Sequence, residues 1–369
     1  MKLTLPAHIQ NLPAYTPIEP FEILSQRVGR KPQDIIKLDA NENPYGVSPR
    51  VRTALAEMDY PHIYPDPESR ALRAALANFT GAPAENLLAG SGADELIDLI
   101  TRLLLEPGDR VLNCPPTFGM YPFDTELNAG RIVNITRRPD FSLDMEGIRA
   151  AVAEHNPKLI FLTSPNNPDG SLIPQSEIEE ILSLPLMVVL DEAYIEFADM
   201  NNTLGKSLSN ITRVAQLDNL IVLRTFSKWA GLAGLRVGYG AFPSWLMPTL
   251  WKAKQPYNVT VASSEAGIAS LEDAEYLSKI VARLRDERER LMAGLKQIPY
   301  LSPYPTQSNF ILCRVSGRDA LQLQDELAMQ HGIFIRYFNK PGLRDCIRIS
   351  VGKPEQTDAL LKALLQVES

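Results

Sequence analysis

NLIVLRTFSKWAGLAGLR, residues 219 to 236, runs from an apolar stretch through Thr225, Ser227 and Lys228 into small residues that end at Arg236. Its first part is short and apolar throughout, the pattern of a strand buried on both faces of a mostly parallel sheet. The same pattern recurs in RVLNC (110 to 114), KLIFLTS (158 to 164), LMVVLDEA (186 to 193) and RVGYGAF (236 to 242). Helical spacing lies upstream in PDPESRALRAALANF, where Leu72, Ala75, Leu76 and Phe79 share a face and Asp66 is the expected N-cap before Pro67. The alternation predicts a doubly wound α/β domain whose ligands sit beyond the carboxyl ends of its strands.

A helical stretch over about 262 to 296 precedes two further strand candidates, SNFILCRV and CIRISVG. The expected division is a large domain at 35–261 and a smaller α+β domain at 262–369, with residues 1–34 packing on the smaller one. No internal repeat or low-complexity tract interrupts it.

Composition excludes several classes of function. Hydrophobic residues make up 45% and charged residues 22% of the 369, and no apolar run approaches the ~18 residues of a membrane span. The opening MKLTLPAHIQNLP meets proline and polar residues too soon for a secretory signal, so a cytoplasmic location is expected. Cys114, Cys313 and Cys346 are far apart and read as reduced thiols, and the four histidines make no metal-binding spacing. A net charge of -7 argues against a general nucleic-acid surface. An anionic ligand must therefore be held by local arginines.

Chemistry-bearing residues follow the predicted strands. In GSGADELIDLI (90 to 100) a helix starts at a glycine turn, and the N–H groups near Ala93 and Asp94 suit a phosphate; Asp94 and Glu95 also simply favour a helix N-terminus. Phe118 in CPPTFGMY stacks on a flat ligand or plugs the core. Asn167 in SPNNPDG offers an amide or shapes a turn. Asp191 ends a strongly apolar run, where it is either a cap or a functional carboxylate in need of a cation, and Tyr194 lies three residues on. Lys228 follows NLIVLRT, where an amine is costly as a cation but useful as a nucleophile toward a carbonyl. Thr225, Ser227 and Arg236 supply donors suited to a phosphate. Together these match pyridoxal phosphate: a lysine for its aldehyde, an acid for its ring nitrogen, a phenol and amide for its 3-oxygen, a stacking ring and a phosphate cup.

The chain resembles the fold type I pyridoxal-phosphate aminotransferases, most closely the histidinol-phosphate aminotransferase family. The resemblance runs nearly end to end through LDANENPYG (38 to 46), YPDPES (64 to 69), GSGADELI (90 to 97), CPPTFGMY (114 to 121), SPNNPDG (164 to 170), DEAYIEF (191 to 197), TFSKWAGLAGLRVGY (225 to 239) and CIRISVG (346 to 352). It implies a cofactor-bonding Lys228, Asp191 at the pyridinium, Asn167 and Tyr194 at the 3-oxygen, and Ala93, Asp94, Ser227 and Arg236 around the phosphate. It further implies a homodimer in which Tyr64 reaches the cofactor phosphate of the partner subunit. Arg348 matches a grip for the substrate carboxylate, Arg336 one for a substrate phosphate, and Tyr15 and Asn43 fall at pocket positions. Phe118 stands where the family commonly has tyrosine, and Asp169 where it has threonine.

The implied reaction exchanges an amino group between L-histidinol phosphate and 2-oxoglutarate, giving imidazole-acetol phosphate and glutamate in histidine biosynthesis. An aromatic-amino-acid aminotransferase would need Arg348 but little from Arg336, and a threonine-phosphate decarboxylase would use the same site for a different bond. A non-catalytic regulator binding the cofactor would need a DNA-binding module, and nothing before residue 35 is long or basic enough for one.

Overall fold

The computed structural model describes residues 4–12 and 19–367. Among them twelve strands form two sheets. The larger is ordered β2-β8-β7-β6-β5-β3-β4, from Leu87–Gly90 (β2), Arg110–Asn113 (β3), Arg131–Asn134 (β4), Leu159–Thr163 (β5), Met187–Asp191 (β6), Leu220–Thr225 (β7) and Gly238–Ala241 (β8). All its pairings are parallel except those of β8, which runs antiparallel to both β7 and β2.

The continuous apolar runs have a direct structural cause. Successive residues of one strand point to opposite faces, and here they fall into two separate cores: Leu112, Ile160, Leu162, Val188, Leu190 and Val222 on one side, Val111, Leu159, Phe161, Val189, Ile221 and Leu223 on the other. Burial on both faces makes consecutive positions apolar, with the buried polar exceptions Asn113, Thr163, Asp191, Arg224 and Thr225 at or near the strand ends.

The smaller sheet is ordered β1-β11-β12-β10-β9, from Ile36–Leu38 (β1), Leu301–Pro303 (β9), Phe310–Val315 (β10), Ile333–Tyr337 (β11) and Cys346–Ser350 (β12). Residues 36–38, which the division at residue 35 puts with the large domain, instead lie parallel to β11, Ile36 opposite Ile333 and Leu38 opposite Ile335. Leu38 joins the core of the small sheet, which explains the crossing. Just upstream, Leu24 and Ile35 cluster with Ala328 and Phe334.

Two helical expectations also shift. The stretch 262 to 296 is two helices, Val261–Glu272 and Ala274–Leu295, broken at Asp273. The first packs on the large-sheet side, where Leu72 lies beside Gly267. The helix expected from Asp66 starts at Arg70, because Ser69 adopts a left-handed φ of 48°. Asp66 still accepts from the N–H groups of Glu68 and Arg70 at 3.1 and 2.8 Å.

Candidate active site

The antiparallel β8 brings two distant motifs together. Gly238 lies opposite Thr225, the last residue of β7, and also opposite Gly90, the last residue of β2. The GSGAD and TFSK turns therefore flank one point at the edge of the sheet. Gly92 caps the helix Ala93–Leu104 with φ 81°, a conformation that side chains resist. A Cβ there would meet the Arg236 guanidinium at 2.5 Å. Arg236 NH2 in turn donates to Asp94 Oδ2 at 2.9 Å. Thr225 Oγ1 accepts from Ser227 N–H at 3.1 Å and lies 2.9 Å from Ser227 Oγ. Helix N–H groups, two hydroxyls and a guanidinium thus converge as an anion cup.

One strand over, Asp191 ends β6 opposite Thr163 of β5. It is 4% exposed, accepts from Tyr121 OH at 2.7 Å and from Ala193 N–H at 2.9 Å. Burial pushes its carboxyl up to about 6, opposed chiefly by those two hydrogen bonds, with Asp94 raising it and Lys228 lowering it further. Such a group calls for a buried cation. Tyr121 also contacts Thr163 Oγ1 at 2.7 Å, stacks on Phe161 at 4.7 Å and meets Phe118 edge-on at 5.5 Å. Neither its role nor that of Asn41 was singled out in the sequence. Tyr121 lies three residues beyond Phe118, in the first turn of the helix Met120–Leu127.

Lys228 Nζ donates to Ala40 O at 3.2 Å. Adjacent carbonyls do related work: Asp39 O accepts from Arg348 NH2 at 2.8 Å, and Asn41 O from Asn309 Nδ2 at 3.0 Å. The Asn41 side chain donates to Tyr194 OH at 3.1 Å. One short strap therefore touches the lysine, the phenol and the arginine. Gly231, at φ 72°, lets this strap pass, since a Cβ would stand 2.5 Å from Gly46 O.

On the small sheet Arg336 and Arg348 are directly opposed across β11 and β12. Both lie over the Phe338 ring, at 5.8 and 5.5 Å. Arg348 NH1 reaches into the large sheet's loops and donates to Asn167 Oδ1 at 2.6 Å. Tyr64 lies elsewhere, 79% exposed and stacked on Tyr257 at 4.7 Å. Asn43 Nδ2 donates to Trp229 O at 2.9 Å and its Oδ1 accepts from Tyr45 N–H at 3.0 Å, so its amide ties the strap to the turn after Lys228. Tyr15 falls outside the described residues.

These residues fit pyridoxal phosphate on their own chemistry. The buried Asp191 suits a protonated ring nitrogen, the cup between Gly92 and Arg236 suits a phosphate, and Lys228 extends from the same sheet edge.

Residues 33–364 match the family Aminotransferase class I and II. The chain is 56% identical over 358 residues to the chloroplastic histidinol-phosphate aminotransferase of Nicotiana plumbaginifolia, covering 97% of this chain and 85% of that protein. It is 51% identical over 367 residues to histidinol-phosphate aminotransferase of Roseiflexus castenholzii, covering 97% and 96%. The crystal structure of histidinol-phosphate aminotransferase from Sinorhizobium meliloti in complex with pyridoxal-5'-phosphate superposes with a TM-score of 0.88 at 32% identity, over 98% of this chain and 97% of that one. Cup, buried acid, strand-end lysine and these likenesses lead to one conclusion: the chain belongs to the pyridoxal-phosphate-dependent class I and II aminotransferases, in the histidinol-phosphate aminotransferase family.

Proposed function

We propose that the protein transfers the amino group of L-histidinol phosphate to 2-oxoglutarate, as its relatives' name describes for them. The observation that carries this reading is the opposed pair Arg336 and Arg348, two guanidiniums around one aromatic ring beside Asn167. Such a pair suits a pocket that takes a phosphate in one half-reaction and carboxylates in the other.

Bound pyridoxal phosphate supplies an aldehyde that receives the amino group and a protonated ring that draws electrons from the substrate α-carbon. Asp191 holds the proton on the ring nitrogen, and the low polarity around it strengthens that pairing. Tyr194 and Asn167 orient the 3-oxygen, Phe118 covers the ring, and the Ala93 and Asp94 N–H groups with Thr225, Ser227 and Arg236 anchor the phosphate. Lys228 Nζ takes the α-proton of the substrate and returns it as general acid, with Ala40 O as acceptor for its ammonium. Arg348 orients the substrate anion and Arg336 binds its phosphate.

The same reading has the large sheet and the small sheet acting as two domains joined through the 39–47 strap and the break at Asp273. It also has the protein working as a homodimer with Tyr64 completing the partner's phosphate cup. The exposed apolar group Tyr60, Ile63, Tyr64 and Tyr257 supports that surface. Three buried, unpaired thiols suit a reducing compartment, which we take to be the cytoplasm, whereas the plant relatives are described as chloroplastic.

Adding L-histidinol phosphate to the cofactor-loaded protein should bleach its visible absorption, and 2-oxoglutarate should restore it. Arg336→Leu should raise KM for histidinol phosphate roughly ten- to a hundredfold, the loss of a charged hydrogen bond, with little effect on phenylalanine. Better turnover of phenylalanine, or carbon dioxide release from threonine phosphate, would overturn the substrate assignment and leave the Lys228 and Asp191 assignments standing.

A further inference from the structure

Asn41 is 1% exposed and adopts a left-handed φ of 56°, the strained region that asparagine tolerates better than most residues. Every polar group it carries is engaged. Its N–H donates to Ser350 Oγ at 2.8 Å, and that hydroxyl donates back to Asn41 Oδ1 at 3.0 Å. Its carbonyl accepts from Asn309 Nδ2, and its Nδ2 donates to Tyr194 OH at 3.1 Å. Ser350 and Asn309 belong to the small-sheet side, whereas Tyr194 follows β6 of the large sheet. Ser350 also lies two residues from Arg348 on β12.

A phenol has one proton to give. Because Asn41 occupies the Tyr194 oxygen as a donor, the phenolic O–H must be given elsewhere. We propose that Asn41 is a positioning residue that directs the Tyr194 hydroxyl proton toward the 3-oxygen of the cofactor, and that through Ser350 it ties this orientation to the strand carrying Arg348. The inference rests on the proposed place of Tyr194 at that oxygen. It gives the otherwise costly left-handed backbone of Asn41 a use at the reaction centre.

The test reads the substrate-free holoenzyme by visible absorption across pH, with no turnover involved. A hydrogen bond to the 3-oxygen stabilises its anionic form and lowers the pH midpoint of the band. Asn41→Gly keeps the left-handed backbone and removes the donor, and should raise that midpoint by about half a pH unit or more. Asn41→Asp substitutes an acceptor that draws the phenolic proton away, and should raise it further. Ser350→Ala, which touches no cofactor atom, should move it in the same direction by less. In a Tyr194→Phe background Asn41→Gly should add nothing. An unshifted midpoint in folded Asn41→Gly, or a full additional shift in the Tyr194→Phe background, overturns the proposal. If Tyr194→Phe itself leaves the midpoint in place, the assignment of Tyr194 fails instead. Should Asn41→Gly not fold, Ser350→Ala and Asn41→Asp decide the question alone.

Discussion

Asp191 titrates near 3.8 in an unfolded chain and is raised to about 6 by burial in the folded protein. The folded state therefore binds the proton more tightly, and its stability falls as pH climbs through that interval. A shift of about two units corresponds to roughly 3 kcal/mol lost by the cofactor-free protein above pH 6. Asp191→Asn removes that cost while keeping an acceptor for Tyr121. Cofactor-free Asp191→Asn should accordingly outlast wild type in urea at pH 8, match it more closely at pH 4, and bind pyridoxal phosphate far more weakly. Equal stability of the two proteins at pH 8 would show that the carboxylate is better solvated than its surroundings suggest. Pairing with a protonated ring reverses the penalty, so cofactor and carboxylate stabilise each other.

Among the elements, β7 carries a second buried charge. Arg224 NH2 donates to Glu196 Oε1 at 2.7 Å and to Leu204 O at 2.8 Å, and both side chains of the pair are 0% exposed. Burial raises Glu196 to about 7 against the pull of Arg224, and Glu192 lies in the same field. Arg224→Met leaves these carboxyls without their cation and should destabilise the protein by about 3–5 kcal/mol. Their raised folded values mean that the loss grows from pH 5 to pH 8, which unfolding curves at the two pH values would check. This element also shows what is legible from sequence. Strands β3, β5, β6 and β7 are readable because burial on both faces gives them runs of consecutive apolar residues, and Lys228 and Asp191 stand out as charged residues at or just beyond their ends. RIVN (β4), at the sheet edge, is only partly buried and LLAG (β2) runs straight into a glycine turn, while IKL (β1) finds its sheet only through a partner some three hundred residues away. Tyr121 and Asn41 were hidden for the same reason, since their partners Asp191 and Tyr194 are 70 and 153 residues distant in the chain.

At the scale of the whole molecule, the proposed sharing of sites between subunits makes a genetic prediction. If Tyr64 serves the partner's cofactor, mixing Lys228→Ala chains with Tyr64→Ala chains creates heterodimers with one intact site and one doubly defective site. Activity at limiting cofactor should then rise above that of either variant alone. Mixtures that stay as inactive as their parts, or a fully active monomer by sedimentation, would remove Tyr64 from the site.

The small sheet takes β1 from near the start of the chain and its other strands from beyond residue 300. Synthesis at roughly 5–20 residues per second keeps Ile36–Leu38 waiting on the order of tens of seconds for β11. The large sheet, complete at Ala241, has all its strands well before then. Trp229 and Tyr194 hold the strap bearing Ala40 and Asn41 from the large-sheet side, and its contacts to Arg348, Ser350 and Asn309 wait for the late sheet. A ribosome-bound chain thus already carries Lys228, Asp191 and Ala40 while Arg336 and Arg348 are still to be made, so the proposed site acquires its two small-sheet arginines last.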